Sequence, residues 1–146
     1  MKIAIAADHG GYKLKEEIKP YIESLGHTVT DFGTYSEDSV DYPDYAAPCA
    51  RAVVSGEMDR GIVICGTGIG ISIAANKIKG VRCALCTDPV MARLTREHND
   101  ANMMAIGAGF TGELLALEMV DVFLNTPFSE GERHARRVAK VNAIQP

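Results

Sequence analysis

Three glycines at alternate positions, Gly66, Gly68 and Gly70, set what this chain can fold into. The β-branched run Ile62-Val63-Ile64 leads into Cys65 before them, and an Ala/Ile-rich run follows as far as Lys77. The pattern reads as strand, tight loop, helix. Backbone N–H groups at a helix start have no partners within the helix, and the helix dipole adds partial positive charge there. The glycines remove side chains that would hold a ligand away from those amides, and they permit backbone angles that turn the amides inward. Cys65 ends the strand beside the same hollow. A thiol ordinarily titrates at about 8.5, and the start of a helix is a place where that value falls toward neutrality. A candidate base therefore lies beside a candidate anion hole.

The rest of the chain is consistent with one soluble domain. Its 146 residues suffice for a real core, with 47% hydrophobic and 23% charged residues. No repeat, low-complexity tract or linker divides residues 1–146. A net charge of −4 argues against a general nucleic-acid binder, so an anionic substrate would need a local cluster of positive residues. There is no apolar run long enough to span a bilayer, and strand-like residues begin at Lys2, so a cytoplasmic location is expected. Cys49, Cys65, Cys83 and Cys86 are too few and too irregular for a disulfide scaffold. Cys83 and Cys86 form C-x-x-C inside a strand-like run, where an offset of three places them on opposite faces. Redox or zinc use of that pair is not expected.

Strand-like segments are Lys2 to Ala7, His27 to Phe32, Arg60 to Cys65, Val81 to Cys86 and Asn102 to Gly107. Helix-like segments are Gly11 to Leu25, Pro43 to about Ser55, Gly70 to Ile78, Pro89 to His98, Gly112 to Leu124 and a basic helix from about Glu130 to Asn142. Pro48 is placed to kink the second helix or delay its start. Strands that alternate with helices and lack polar alternation imply a parallel sheet covered on both faces. The expected fold is α/β: a single-domain, three-layer αβα sandwich on a five-stranded parallel sheet, Rossmann-like and doubly wound.

In such folds ligands bind beyond the carboxyl ends of the strands. Asp8 and His9, Cys65 to Gly70, Thr87 and Asp88, and Ala108 and Gly109 stand there. Nucleotide readings fail on these positions. The first strand is followed by Asp8-His9-Gly10-Gly11, whose carboxylate would repel a pyrophosphate, and no G-x-x-x-x-G-K-[ST] exists. A phosphate-accepting receiver domain would need a second carboxylate where Cys65 stands and a lysine where Ala108 stands.

Asp8-His9-Gly10, Asp41-Tyr42-Pro43, the run Cys65-Gly66-Thr67-Gly68-Ile69-Gly70-Ile71, His98-Asn99-Asp100 and Gly131-Glu132-Arg133-His134-x-x-Arg137 resemble the type B ribose-5-phosphate isomerases. The wider group includes galactose-6-phosphate isomerase subunits. The likeness covers essentially the whole chain, and the cysteine-glycine block together with His-Asn-Asp is its specific part.

The resemblance implies an aldose-ketose isomerase that interconverts ribose 5-phosphate and ribulose 5-phosphate through ring opening and an enediolate. His98 would protonate the ring oxygen, with Asp8 helping at the anomeric hydroxyl. Cys65 would carry the proton between adjacent carbons. The amides of Gly66, Thr67, Gly68, Ile69 and Gly70 would hold the enediolate, each donor being worth about 3 kcal/mol. The Thr67 hydroxyl would shuttle a proton between the two oxygens, and Asn99 would contact a substrate hydroxyl. Arg133 and Arg137, four apart on one helical face, would fork the phosphate, with His9 as a further donor. No cofactor and no metal are expected, because the four histidines lack ligand spacing. By the same analogy the active form is a homodimer or dimer of dimers, the helix over 130–142 contacts the partner, and His98 and the arginine-bearing tail serve the neighbour's Cys65.

Each assignment has a plainer rival. Cys65 also reads as a small apolar core residue, the glycines as a packing turn, and His98 as a favourable charge at a helix end. Asp8 also reads as a helix cap, and the arginines as a solvated basic face. Rival functions are an isomerase of allose or galactose 6-phosphate, a Cys/His hydrolase, and a non-catalytic sugar-phosphate sensor. One departure stands out: the family commonly carries arginine where this chain has Gly109, which bears on phosphate affinity and sugar choice.

Overall fold

The computed structural model describes residues 1–144. Five strands, β1 (Lys2–Ala7), β2 (Thr28–Asp31), β3 (Arg60–Cys65), β4 (Cys83–Leu85) and β5 (Met103–Gly107), form one sheet in the order β2-β1-β3-β5-β4. All four pairings are parallel. Six helices accompany them: α1 (Tyr12–Ser24), α2 (Tyr42–Val54), α3 (Ile69–Asn76), α4 (Pro89–Asn99), α5 (Glu113–Asn125) and α6 (Glu132–Asn142). Among the described residues no helix is long and apolar enough to cross a membrane.

Both faces of the sheet are covered, which explains why the strands lack polar alternation. Ile3, Ile5, Ile62, Ile64, Met104 and Ile106 face α1, α4 and α5, meeting Ile18, Ile22, Ala92, Met119 and Phe123. Ala4, Ala6, Val63, Cys65, Met103 and Ala105 face α2 and α3, meeting Cys49, Ala50, Val53, Ile71 and Ala75. Small residues on this second face bring α2 and α3 close to the strands. The α/β sandwich expected from the alternation is the observed fold.

Departures from the expected elements are local. α2 starts at Tyr42 and runs through Pro48 without delay. β4 is shorter than Val81 to Cys86 because side chains take its first hydrogen bonds: Arg82 N–H donates to Asn102 Oδ1 and Cys83 N–H to Asn76 Oδ1, both at 2.8 Å. Cys83 and Cys86 pack on opposite faces of the sheet. Burial pushes both thiols up to about 12, so neither is a thiolate at neutral pH. α6 has no buried residue, and it touches the body through α4.

Candidate active site

β3 is a central strand, and its last residue is Cys65. The β1–β3 register ends with Ala7 opposite Ile64, and the Asp8 amide donates to the Ile64 carbonyl at 3.2 Å. The next step places Asp8 beside Cys65, with strands about 4.8 Å apart. On the other side Cys65 pairs with Gly107, which offers no side chain. Asp8 and Cys65 therefore adjoin at one strand end, on the face covered by α2 and α3.

Cys65 is 4% exposed, and its sulfur accepts the Gly68 amide at 3.1 Å. That contact turns Sγ toward the glycine loop at the rim of the core. Gly68 has φ +75°, and a Cβ there would come within 2.8 Å of the Gly107 nitrogen. A Cβ on Gly107 would run as tightly into the Thr67 carbonyl. The loop is thus pressed on the end of β5, which only glycine permits at these two positions.

The loop's amides divide into two sets. Gly68 donates to Cys65, and Ile69 donates to Thr67 Oγ1 at 3.1 Å. Those two are already spent on holding the loop, contrary to the expectation that all five amides face a ligand. The amides of Gly66, Thr67 and Gly70 meet no acceptor among the described residues, and Gly66 and Thr67 are exposed. These three are the open donors.

Asp8 is 7% exposed, and its Oδ1 accepts the amides of Gly10 at 2.9 Å and Gly11 at 3.2 Å. It does cap the approach to α1, while Oδ2 is left over. A Cβ on Gly10 would lie 3.1 Å from the Gly66 nitrogen, so the two loops touch. His9 accepts the Val40 amide on Nδ1 at 3.1 Å. Tyr42 went unassigned in the sequence, yet its ring packs where a Gly70 side chain would stand. The Asp41-Tyr42-Pro43 turn is its only sequence signal, and the contact with Gly70 depends on how α2 and α3 pack.

His98, Asn99, Arg133 and Arg137 lie elsewhere. α4 runs back along the sheet and ends at His98 and Asn99, just before β5 begins at Met103. They sit at the amino ends of the strands, and Cys65 at the carboxyl ends. The His98 ring stacks on His134 of α6, with centroids 4.4 Å apart and planes 6° from parallel. Both rings, with Asn99, Arg137 and Arg82, line a cavity of about 460 Å³ between α4, α6 and the β4 edge. Loss of solvation, then the charges of His98, Arg133 and Arg137, hold His134 below the usual imidazole value. Arg133 and Arg137 are exposed. Among the described residues no three His, Cys, Asp or Glu side chains gather as a metal site would require.

This geometry has close relatives. Residues 3–141 match the family described as Ribose/Galactose Isomerase. A putative sugar phosphate isomerase of Bacillus subtilis is 52% identical, covering 97% of this chain and 95% of its own. The ribose-5-phosphate isomerase B of Escherichia coli is 48% identical, covering 99% and 96%. The solved ribose-5-phosphate isomerase B of Clostridium thermocellum superposes with a TM-score of 0.95 at 57% identity, covering 97% and 95%. The matched range spans the cysteine loop, the α4 terminus and the helix bearing Arg133 and Arg137, and the chain belongs to the ribose/galactose isomerase family.

Proposed function

We propose that this isomerase interconverts D-ribose 5-phosphate and D-ribulose 5-phosphate. The observation that carries the reading is Cys65 at the end of a central strand, its sulfur turned by the Gly68 amide into a loop whose Gly66, Thr67 and Gly70 amides are open. The Cys65 sulfur takes the proton from C2 of the open-chain aldose and returns it to C1. The electron pair released at C2 moves onto the carbonyl oxygen, and the open amides hold the resulting enediolate. Thr67 Oγ1 passes a proton between the two oxygens. Asp8, beside Cys65, contacts the anomeric hydroxyl during ring opening.

The acid for ring opening and the phosphate clamp come from a second copy in this reading. Cys65 and His98 lie at opposite ends of one sheet, so a partner's His98, Asn99, Arg133 and Arg137 complete each site. Phe110 and Leu114 support such an assembly, being 80% and 84% exposed at the start of α5 beside the Gly109 turn.

A coupled assay of ribose 5-phosphate turnover on wild type and Cys65→Ala, with solvent deuterium uptake at C1 of the ketose product, tests the reading. Turnover with deuterium uptake in wild type, and a fall of about 10³-fold in kcat for the variant, are expected. Binding of ribose 5-phosphate without turnover would make the protein a sensor. Faster turnover of allose 6-phosphate would shift the substrate to six carbons.

A further inference from the structure

The Lys15 side chain is fully buried, and the chemistry above does not use it. Its ammonium donates to Asp31 Oδ1 at 2.7 Å, to Asp31 Oδ2 at 2.6 Å and to the Thr34 carbonyl at 2.6 Å. The rings of Tyr12 and Tyr35 lie 5.5 and 5.1 Å from Nζ. All three N–H groups are committed. An apolar residue would fill this space without the desolvation cost of a charge, so what sets lysine apart here is what it holds.

It holds the base of a loop. The Gly33 carbonyl accepts the Ala7 amide at 2.7 Å, and the Thr34 amide donates to the Ala7 carbonyl at 2.6 Å. Ala7 immediately precedes Asp8 and His9. The Tyr35 hydroxyl donates to the Asp31 carbonyl at 3.0 Å. From there the chain is exposed as far as the Val40 amide, which donates to His9 Nδ1 at 3.1 Å. Along the exposed stretch the tie to the body recorded among the described residues is Lys13 with Glu37 at 3.2 Å, 79% and 57% exposed, a kind of pair that contributes little. The loop is therefore fixed by Lys15 at one end and meets His9 at the other.

The Val40 contact decides which His9 nitrogen carries hydrogen. An amide can only donate, so Nδ1 accepts and the ring hydrogen sits on Nε2. We infer that Lys15 is a positioning residue for the substrate site: by pinning the 34–41 loop it keeps the Val40 amide on His9 Nδ1, and so keeps His9 as a neutral Nε2–H donor to a ligand oxyanion. The ligand part rests on the ribose 5-phosphate reading; the tautomer part does not.

The test is Lys15→Met, with Ile22→Val as a core truncation on the same helix. Long-range proton–nitrogen NMR of the imidazoles reads the tautomer without any activity, the His9 signals being identified by their loss in His9→Asn. Wild type is expected to give the Nε2–H pattern and Lys15→Met a mixture. KM for ribose 5-phosphate is expected to rise about tenfold in Lys15→Met, with kcat nearly unchanged, the cost of one misplaced hydrogen bond to a charged group. Ile22→Val should change neither. Val40→Pro, which removes the amide hydrogen and leaves Lys15 in place, should give the same mixed tautomers and keeps the test open if Lys15→Met does not fold. A wild-type His9 pattern in either loop variant, or a KM in Lys15→Met equal to that of Ile22→Val, overturns the inference. An inactive wild type with the expected NMR pattern would remove the substrate reading and leave the loop role standing.

Discussion

Cys65 and His98 sit at opposite ends of one sheet: Cys65 pairs with Gly107 at the last residue of β5, while His98 ends the helix that leads into the first, Met103. The strand between those points rises about 3.3 Å per residue, a separation on the order of 13 Å, too far for the two side chains to share a substrate carbon. In the reading proposed above, a site that uses both residues draws them from two copies of the chain.

Subunit mixing reads this directly. Cys65→Ala and His98→Asn should each be nearly inactive alone. In a two-fold dimer, one site of the mixed species unites the intact Cys65 of one copy with the intact His98 of the other. Unfolding and refolding the two variants together at equal amounts should restore about a quarter of wild-type activity. Recovery no greater than the sum of the separate variants would mean that each chain works alone.

Gly68 should be intolerant of any side chain. A Cβ there would stand 2.6 Å from Leu85 Cδ1, 2.8 Å from the Gly107 nitrogen and 2.9 Å from the Ile106 carbonyl carbon, at a positive φ. Two of those atoms are backbone and cannot swing aside. Gly68→Ala should cost about 2–4 kcal/mol in urea unfolding and lower kcat as well, because the same amide turns the Cys65 sulfur. Gly66 has nothing within 4 Å, so Gly66→Ala should leave stability within about 0.5 kcal/mol of wild type. Equal losses for the two would contradict the loop packing.

Gly109 gives a test of phosphate binding. Its amide donates to the Gly66 carbonyl at 2.8 Å, and an added Cβ would lie 3.0 Å from that oxygen. The loop must yield by a few tenths of an ångström, which the exposed Gly66 allows. Gly109→Arg should lower KM for ribose 5-phosphate, by about tenfold if the guanidinium reaches the phosphate. Gly109→Ala serves as the control for the backbone shift alone and should leave KM unchanged or raise it. An unchanged or higher KM in the arginine variant would count against phosphate binding at this end of the sheet.

What could be read from the sequence follows from which forces are local. β1 and β3 were legible to the residue because buried central strands are continuous apolar runs, and the strand-end position of Cys65, Asp8 and the glycines followed from that. β4 is shorter than its apolar run because the side chain of Asn102, 20 residues further on, takes the Arg82 amide. Lys15 carries no signal in the sequence, since its burial depends on Asp31 and Thr34. The same limit hid the Tyr42 contact with Gly70 and the stacking of His134 on His98.

Asp31 should make the protein acid-sensitive in a way that one substitution exposes. Burial opposes the charge on its carboxylate, but hydrogen bonds from Lys15, Lys19 and the Gly33 amide outweigh that and hold its pKa below the ordinary 3.8. A carboxylate depressed on folding stabilises the protein fully above its unfolded value. That contribution is lost as pH falls through the lower folded value. Asp31→Asn removes the titration and leaves Lys15 charged and buried without its partner, so at pH 7 it should be less stable by about 3–5 kcal/mol. Below pH 3.8 the carboxyl of the unfolded chain takes up its proton first, and once pH passes the lower folded value the folded carboxyl does so too and comes to resemble the amide. The gap between the two proteins, measured by urea unfolding from pH 7 downward, should therefore stay constant above about pH 5 and narrow steadily below 3.8. A gap that held its pH 7 size down to the pH of acid unfolding would mean that the Asp31–Lys15 pair does not carry the charge given to it here.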